Sequence, residues 1–302
     1  MRWIDFRKTL KPHYRAVWRD IALCYIFLAL GMAVAAAWDL YVTVPVIAIW
    51  TGYWLHALFL FGHEAAHSNL AKRRRANDRL GDGFVWLWFG SSTIEYRRTH
   101  MTHHSHLGDH HDTETTYHLC LSALNIVKAF TGFRVLEVLV RQRRMKRSHP
   151  VREEVEKPWR EIVVSLRSLA LHLAIIAALV VGHRYAALVA WLIGVGCVFP
   201  LCATVRTIVE HRKIDASCSV DFTVVEHGPI NRLFGTDIFS STFGAAGFNR
   251  HLLHHWDPAI SYTRFEDMAR FLERTPLAVE MSASRIGYGT AMWQMMVEAR
   301  RA

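Results

Sequence analysis

His100, His103 and His104 stand at i, i+3 and i+4 in the stretch Arg97-Arg-Thr-His-Met-Thr-His-His-Ser-His106. On a helix these positions share one face, so three imidazoles can meet one metal centre. The same H-x-x-H-H spacing returns as His251, His254 and His255, and His63-Glu-Ala-Ala-His67 adds a pair at i and i+4. Neutral imidazole is a good ligand for zinc, copper and iron. A single zinc takes about three or four protein ligands. Eight histidines in three such clusters therefore point to two metal ions. His211, in Arg206-Thr-Ile-Val-Glu-His211, is a ninth candidate at the exit of the fourth apolar run, level with His63 and His67.

The elements that carry these clusters are membrane helices. Of the 302 residues, 52% are hydrophobic, and the apolar residues gather into four runs: Ile21–Trp38, Leu40–Gly62, Glu161–Gly182 and Arg184–Val205. At about 1.5 Å per helical residue each can cross, or nearly cross, a hydrocarbon core of roughly 30 Å. They predict an all-α membrane protein of two helical hairpins, with a helical cap from residues 63–160 and 206–302 carrying the metal site. All but Arg167 and Arg184 of the 36 Lys and Arg residues fall in the N-terminal segment or the cap. The positive-inside rule then places both termini and all three histidine clusters in the cytoplasm. The late first run, followed by a second span, argues against a cleavable signal peptide.

Within the cap, Phe84–Ser91 is apolar but too short to span, and reads as a buried or interfacial turn of helix. Leu119–Val140 with the basic run Arg141–Arg147 suits an amphipathic helix on anionic lipid, and Ser284–Ala302 reads as a peripheral helix. The net charge of +10 fits a lipid-facing surface, and no nucleic-acid-binding module accompanies it. Cys24, Cys120, Cys197, Cys202 and Cys218 form no C-x-x-C pair and read as reduced packing residues. His56 and His172, inside apolar runs, read as hydrogen-bonded packing residues. Glu64, Glu210 and the polar stretch His106, His110, His111, Asp112 and Glu114 could orient ligands or could be solvated.

The set H-x3-H, H-x2-HH, H-x2-HH, placed between two membrane hairpins, resembles the integral-membrane fatty acid desaturase and hydroxylase superfamily. The resemblance covers nearly the whole chain, 1–302, as one desaturase-like domain. Glu210-His211 is similar to the additional histidine that many members carry after the fourth helix, and Asp257-Pro258 to the continuation of their third box. Thr207 departs from the pattern, because acyl-CoA members can place Asn there. The resemblance implies two non-haem iron ions held by His63, His67, His100, His103, His104, His211, His251, His254 and His255. One ion would take boxes one and two, and the other boxes two and three with His211. It also implies O2 as co-substrate and removal of hydrogen from an acyl chain of a lipid or acyl thioester. A double bond, a hydroxyl or, on a carotenoid, a keto group would result. Electrons would come from an external donor of ferredoxin or cytochrome b5 type.

Two other chemistries compete. His63-Glu-Ala-Ala-His67 is also an H-E-x-x-H motif, with Glu64 as general base and Asp82 as a distant ligand of a zinc metalloprotease. That reading leaves seven patterned histidines unused. A metal transporter would need histidines or acidic residues along a path through the membrane, whereas here they gather at one face.

Overall fold

The computed structural model describes residues 2–138, 140 and 158–301. Among them the regular structure is helical, apart from one isolated bridge between Leu233 and Arg285. After a short α1 (Trp3–Arg7), α2 (Tyr14–Trp38) and α3 (Val44–Ala66) form the first hairpin; α4 (Arg74–Phe84), α5 (Thr93–His106) and α6 (Ala123–Phe130) follow in the cap. The second hairpin is α7 (Pro158–Val181) against α8 (Tyr185–Ile193), which continues through a π-turn over Gly194–Val198 into α9 (Phe199–His211). The chain closes with α10 (Ile238–Phe243), α11 (His251–Trp256), α12 (Phe265–Leu272), α13 (Leu277–Ala283) and α14 (Tyr288–Arg301).

Four helical stretches, 14–38, 41–66, 162–181 and 185–211, are long and apolar enough to cross a membrane. Three of them run past the apolar runs that announce them. The added turns are polar because they enter the cap, and two of them carry His63 and His211 toward the site.

In lipid the chain gains little by hiding apolar side chains from one another, so close packing must hold the helices together. Small residues provide it. Along α2 the buried positions Val17, Ile21, Cys24, Leu28, Gly31 and Ala35 recur every three to four residues, a single stripe. A Cβ at Gly31 would meet the Trp50 ring at 2.4 Å, and one at Gly52 would meet Val198 at 2.4 Å. These glycines let α2 and the π-turn close on α3, the innermost helix. At the far tip, Asp39 Oδ1 accepts from the amides of Ala186 and Ala187 at 2.9 and 3.2 Å, capping α8 and tying the hairpins together.

The cap departs from expectation in three places. Leu119–Val140 is not one helix: Gly132, at φ 75°, ends α6 before a second helical stretch over 133–138. Leu124, Val127, Phe130, Phe133 and Leu136 are exposed, as a lipid-facing surface requires. The basic run Arg141–Arg147 lies outside the described residues. The last helix is not peripheral, because Tyr288, Ala291 and Met295 pack on Ile208, Val209 and Phe234. Cys120 and Cys218 form a disulfide, while Cys24, Cys197 and Cys202 are free. The separation of 98 residues hid that pairing, since sequence spacing does not report spatial approach. The short apolar stretch behaves as expected: residues 86–88 form one 3-10 turn with Trp86 fully buried.

Candidate metal centre

Each cluster is delivered by a helix whose placement the surrounding residues fix. The end of α3 carries His63 and Glu64, and His67 is its C-cap. Ser92-Thr-Ile-Glu95 starts α5, and Ser92 accepts from the Glu95 amide at 3.2 Å, a cap that sets the register of box two. Arg97, one turn before His100, then reaches across to the α3 terminus, donating to the carbonyls of Ala66 and Ala65 at 2.6 and 3.0 Å and to Asp78 at 2.6 Å. Boxes one and two are thereby fixed to each other.

Box three is held by backbone. Phe234 and Leu252 pair with Asn249 and Arg232 at 2.8 and 3.1 Å around the entry to α11. Ala246 and Gly247 turn the chain there with φ of 52° and 83°, and a Cβ at Gly247 would meet Tyr262 at 2.3 Å. Downstream, Arg7 clasps Asp257 with both ends of its guanidinium, so α1 braces the box from outside. Arg232 donates to the carbonyls of Val209, Glu210 and Arg212 at 2.8, 3.2 and 2.6 Å, which fixes the end of α9.

All nine candidate histidines come together, in two adjoining groups. His63, His67, His100, His104 and His254 offer ligand atoms within 4.8 Å of one another. His103, His211 and His255 form a second such set, and His251 joins it through His211 and Glu210. The rings of His104 and His255 lie 4.5 Å apart where the groups meet. Box three therefore serves both groups, which corrects the division expected from sequence. Its His254 crosses to box one, with Nε2 2.8 Å from that of His63 and 2.9 Å from that of His104. In the second group Nε2 of His251 lies 2.9 Å from His211 and 3.2 Å from His255.

The donor set fits metal ions. A neutral imidazole Nε2 either donates or accepts one hydrogen bond, so chains of converging Nε2 atoms cannot satisfy one another; a cation satisfies all of them. Nε2 of His67 is buried with no hydrogen-bond partner. Burial, reinforced by the neighbouring imidazoles, holds His67, His100, His251, His254 and His255 well below the usual histidine pKa, and brings His104 to about 3. These rings are neutral near pH 7, the form that binds metal. His103 differs. Burial opposes its charge, but Glu114 and Asp112 outweigh burial and raise its pKa. Its Nδ1 lies 2.9 Å from Asp112 Oδ1, and its Nε2 lies 3.4 Å from Glu114 Oε2.

A family model, fatty acid desaturase, matches residues 38–282. The chain belongs to the fatty acid desaturase family. It is 31% identical over 113 residues to the sn-1 oleoyl-lipid 12-desaturase of Anabaena variabilis, a match covering 35% of this chain and 31% of that protein. It is 38% identical over 63 residues to the beta-carotene ketolase of Paracoccus sp. (strain PC1), covering 20% of this chain and 26% of that protein. The matches span less than a third of either relative's length. The family lies in the desaturase and hydroxylase superfamily and is metal-dependent, which the histidine groups of this chain fit.

Like six of the nine histidines, the supporting residues of this desaturase-family protein are buried. Asp112 is fully buried and also accepts from the Tyr117 hydroxyl at 2.6 Å. His106 bonds its own helix at Thr102, and His110 and His111 are exposed, so they take no part in the cluster. Glu64 accepts from Ser261 at 2.9 Å. It is a buried link between α3 and the segment after box three, and His63 and His67 are shared with the other boxes. That arrangement disfavours a protease site. Glu210, which the sequence offers as a ligand-orienting or a solvated carboxylate, is buried and ion-paired with Arg206 beside the second group, a pairing not expected from sequence. Their signal was present: two opposite charges at i and i+4 in an otherwise apolar helix.

A cavity of about 660 Å³ opens between the membrane helices, and its lining reaches residues next to the cluster rather than the nine histidines themselves. Its outer walls include Leu55, Trp88, Val195 and Phe199; its inner end carries Tyr96, Glu114 and Arg206. The Tyr96 ring stacks on His100, with centroids 5.3 Å apart.

Proposed function

We propose that this protein is an O2-dependent desaturase of lipid acyl chains, a single domain over 1–302 with two iron ions held by the nine histidines. The observation that carries the reading is an apolar cavity between the membrane helices whose wall includes Tyr96, stacked on His100 of the first group, and Glu114, beside His103 of the second. Iron held there would supply an oxidant, drawn from O2, strong enough to take hydrogen from an unactivated C–H bond.

The chain's own residues do the rest. Asp112 holds Nδ1–H of His103 and so directs Nε2 toward the second group; orienting a ligand in this way raises its basicity. Leu55, Trp88, Val195 and Phe199 give an acyl chain apolar contact and exclude water, which fits lipid or acyl-thioester substrates. Tyr96 packs between that chain and His100. The electrons come from an external ferredoxin- or cytochrome-b5-type donor. Both termini and the cap lie in the cytoplasm, on the argument of the Lys and Arg distribution.

The partial identity to a carotenoid ketolase favours one second reading, oxygenation of a lipid or carotenoid on the same scaffold. Lipid mass spectrometry of an expressing host, with His104→Ala as control, separates them. Loss of two hydrogens from a lipid supports the desaturase, and gain of oxygen supports the hydroxylase or ketolase. Full product formation by His104→Ala would refute both.

A further inference from the structure

The two histidine groups are unequal. The first brings five imidazoles, and the second brings four: His103, His211, His251 and His255. What completes the second group is a carboxylate. Glu210 lies within 4.8 Å of the ligand atoms of both His211 and His251. It is fully buried.

Its two oxygens have different surroundings. Oε2 takes the guanidinium of Arg206 and lies 3.9 Å from Nε2 of His251. Oε1 is buried and has no hydrogen-bond partner. A carboxylate oxygen stripped of water and left unpaired inside a protein is costly. Glu210 sits on the added turn of α9 that carries His211 to the site, and it is buried there rather than solvated. Arg206 neutralises part of the charge and occupies one oxygen, leaving the other oxygen free for a cation. Hard carboxylate oxygen beside imidazole nitrogen suits a redox-active first-row metal.

We propose that Glu210 is a metal ligand, donating Oε1 to the second subsite beside His103, His211, His251 and His255. The inference rests on the reading of the cluster as a di-metal centre. It makes the two subsites chemically different: one all-imidazole, the other mixed nitrogen and oxygen. The mixed subsite carries the ligand charge.

The test is metal binding by the full-length protein in detergent, free of turnover. Wild type, Glu210→Gln, Glu210→Asp and His104→Ala are loaded with Fe(II), and separately with Co(II), then challenged with a chelator. The expected result is two ions in wild type. In Glu210→Gln one ion is held as before, and the second is weakened at least 10-fold to 100-fold, with a changed Co(II) ligand-field spectrum. Glu210→Asp falls between them. If Glu210→Gln does not fold, a structure of metal-loaded wild type decides. Oε1 within about 2.0–2.2 Å of the ion supports the proposal, and Oε1 outside bonding distance overturns it. Two ions held by Glu210→Gln with wild-type affinity and spectrum overturn this inference alone. A wild type that holds fewer than two ions overturns the di-metal reading with it.

Discussion

Both carboxylate oxygens of Asp112 lie against Nδ1 of His103, at 2.9 and 3.0 Å, and both side chains are buried from solvent. Of the nine imidazoles it is His103 that has a carboxylate at Nδ1, and it belongs to the second group. Asp112→Asn keeps the shape but removes the charge that fixes the tautomer. Affinity for the second ion should fall about 10-fold to 100-fold, with the first ion retained. Chelator competition measures both, and unchanged affinity would show that His103 needs no such support.

Arg97 is the joint between boxes one and two, and its partner Asp78 gives it a pH signature. Burial pushes the Asp78 carboxyl up, but Arg97 and Asn77 outweigh burial and hold it below the ordinary aspartate value. A carboxyl depressed in the folded state stabilises it above the unfolded pKa, about 3.9. That stabilisation is lost as pH falls through the lower folded value. Arg97→Met leaves Asp78 unpaired and should cost toward the lower end of about 3–5 kcal/mol, the side chains being slightly exposed. The thermal-melting difference between wild type and Arg97→Met should be full at neutral pH and shrink below pH about 4. A difference indifferent to pH would assign Arg97's role to its carbonyl contacts alone.

Substrate length should answer to the cavity wall. Gly196 lines the cavity, and a Cβ there would meet nothing within 4 Å. Gly196→Phe should therefore fold and shorten the space for an acyl chain. The expected outcome is a product profile shifted toward shorter chains, read by mass spectrometry with metal content unchanged. An unaltered profile at full activity would place the substrate elsewhere.

Most of the site was legible because helical spacing is a local property. H-x-x-H-H puts imidazoles on one face whatever the rest of the chain does, and the four apolar runs announced the helices that carry them. The crossing of His254 to His63 was not legible, because it depends on the angle at which α11 meets α3. That angle is set by the turn at Ala246-Gly247 and by backbone pairing with Arg232 and Asn249. Asp39, between the first two apolar runs, is a cap on a helix about 150 positions away in sequence, at Ala186. Arg206 and Glu210 were visible as charges, but the approach of Glu210 to His251 was not.

The disulfide gives a test of membrane orientation. Cys120 and Cys218 are bonded in the structure, and disulfides persist in oxidising compartments, whereas the Lys and Arg distribution puts the cap in the cytoplasm. The proposed orientation predicts that rapid alkylation of intact cells traps both residues as thiols, and that the bond forms after isolation in air. A pair already bonded in freshly quenched cells would put the cap on the opposite face of the membrane.

The central claim is that nine histidines hold two iron ions, and elemental analysis of the detergent-purified protein tests it most directly, with His104→Ala beside it. The account predicts about two irons per chain in wild type and loss of iron in the variant, as expected when one imidazole is removed from a shared centre. One zinc per chain, held equally well without His104, would contradict it and return His63-Glu-Ala-Ala-His67 to a hydrolytic site.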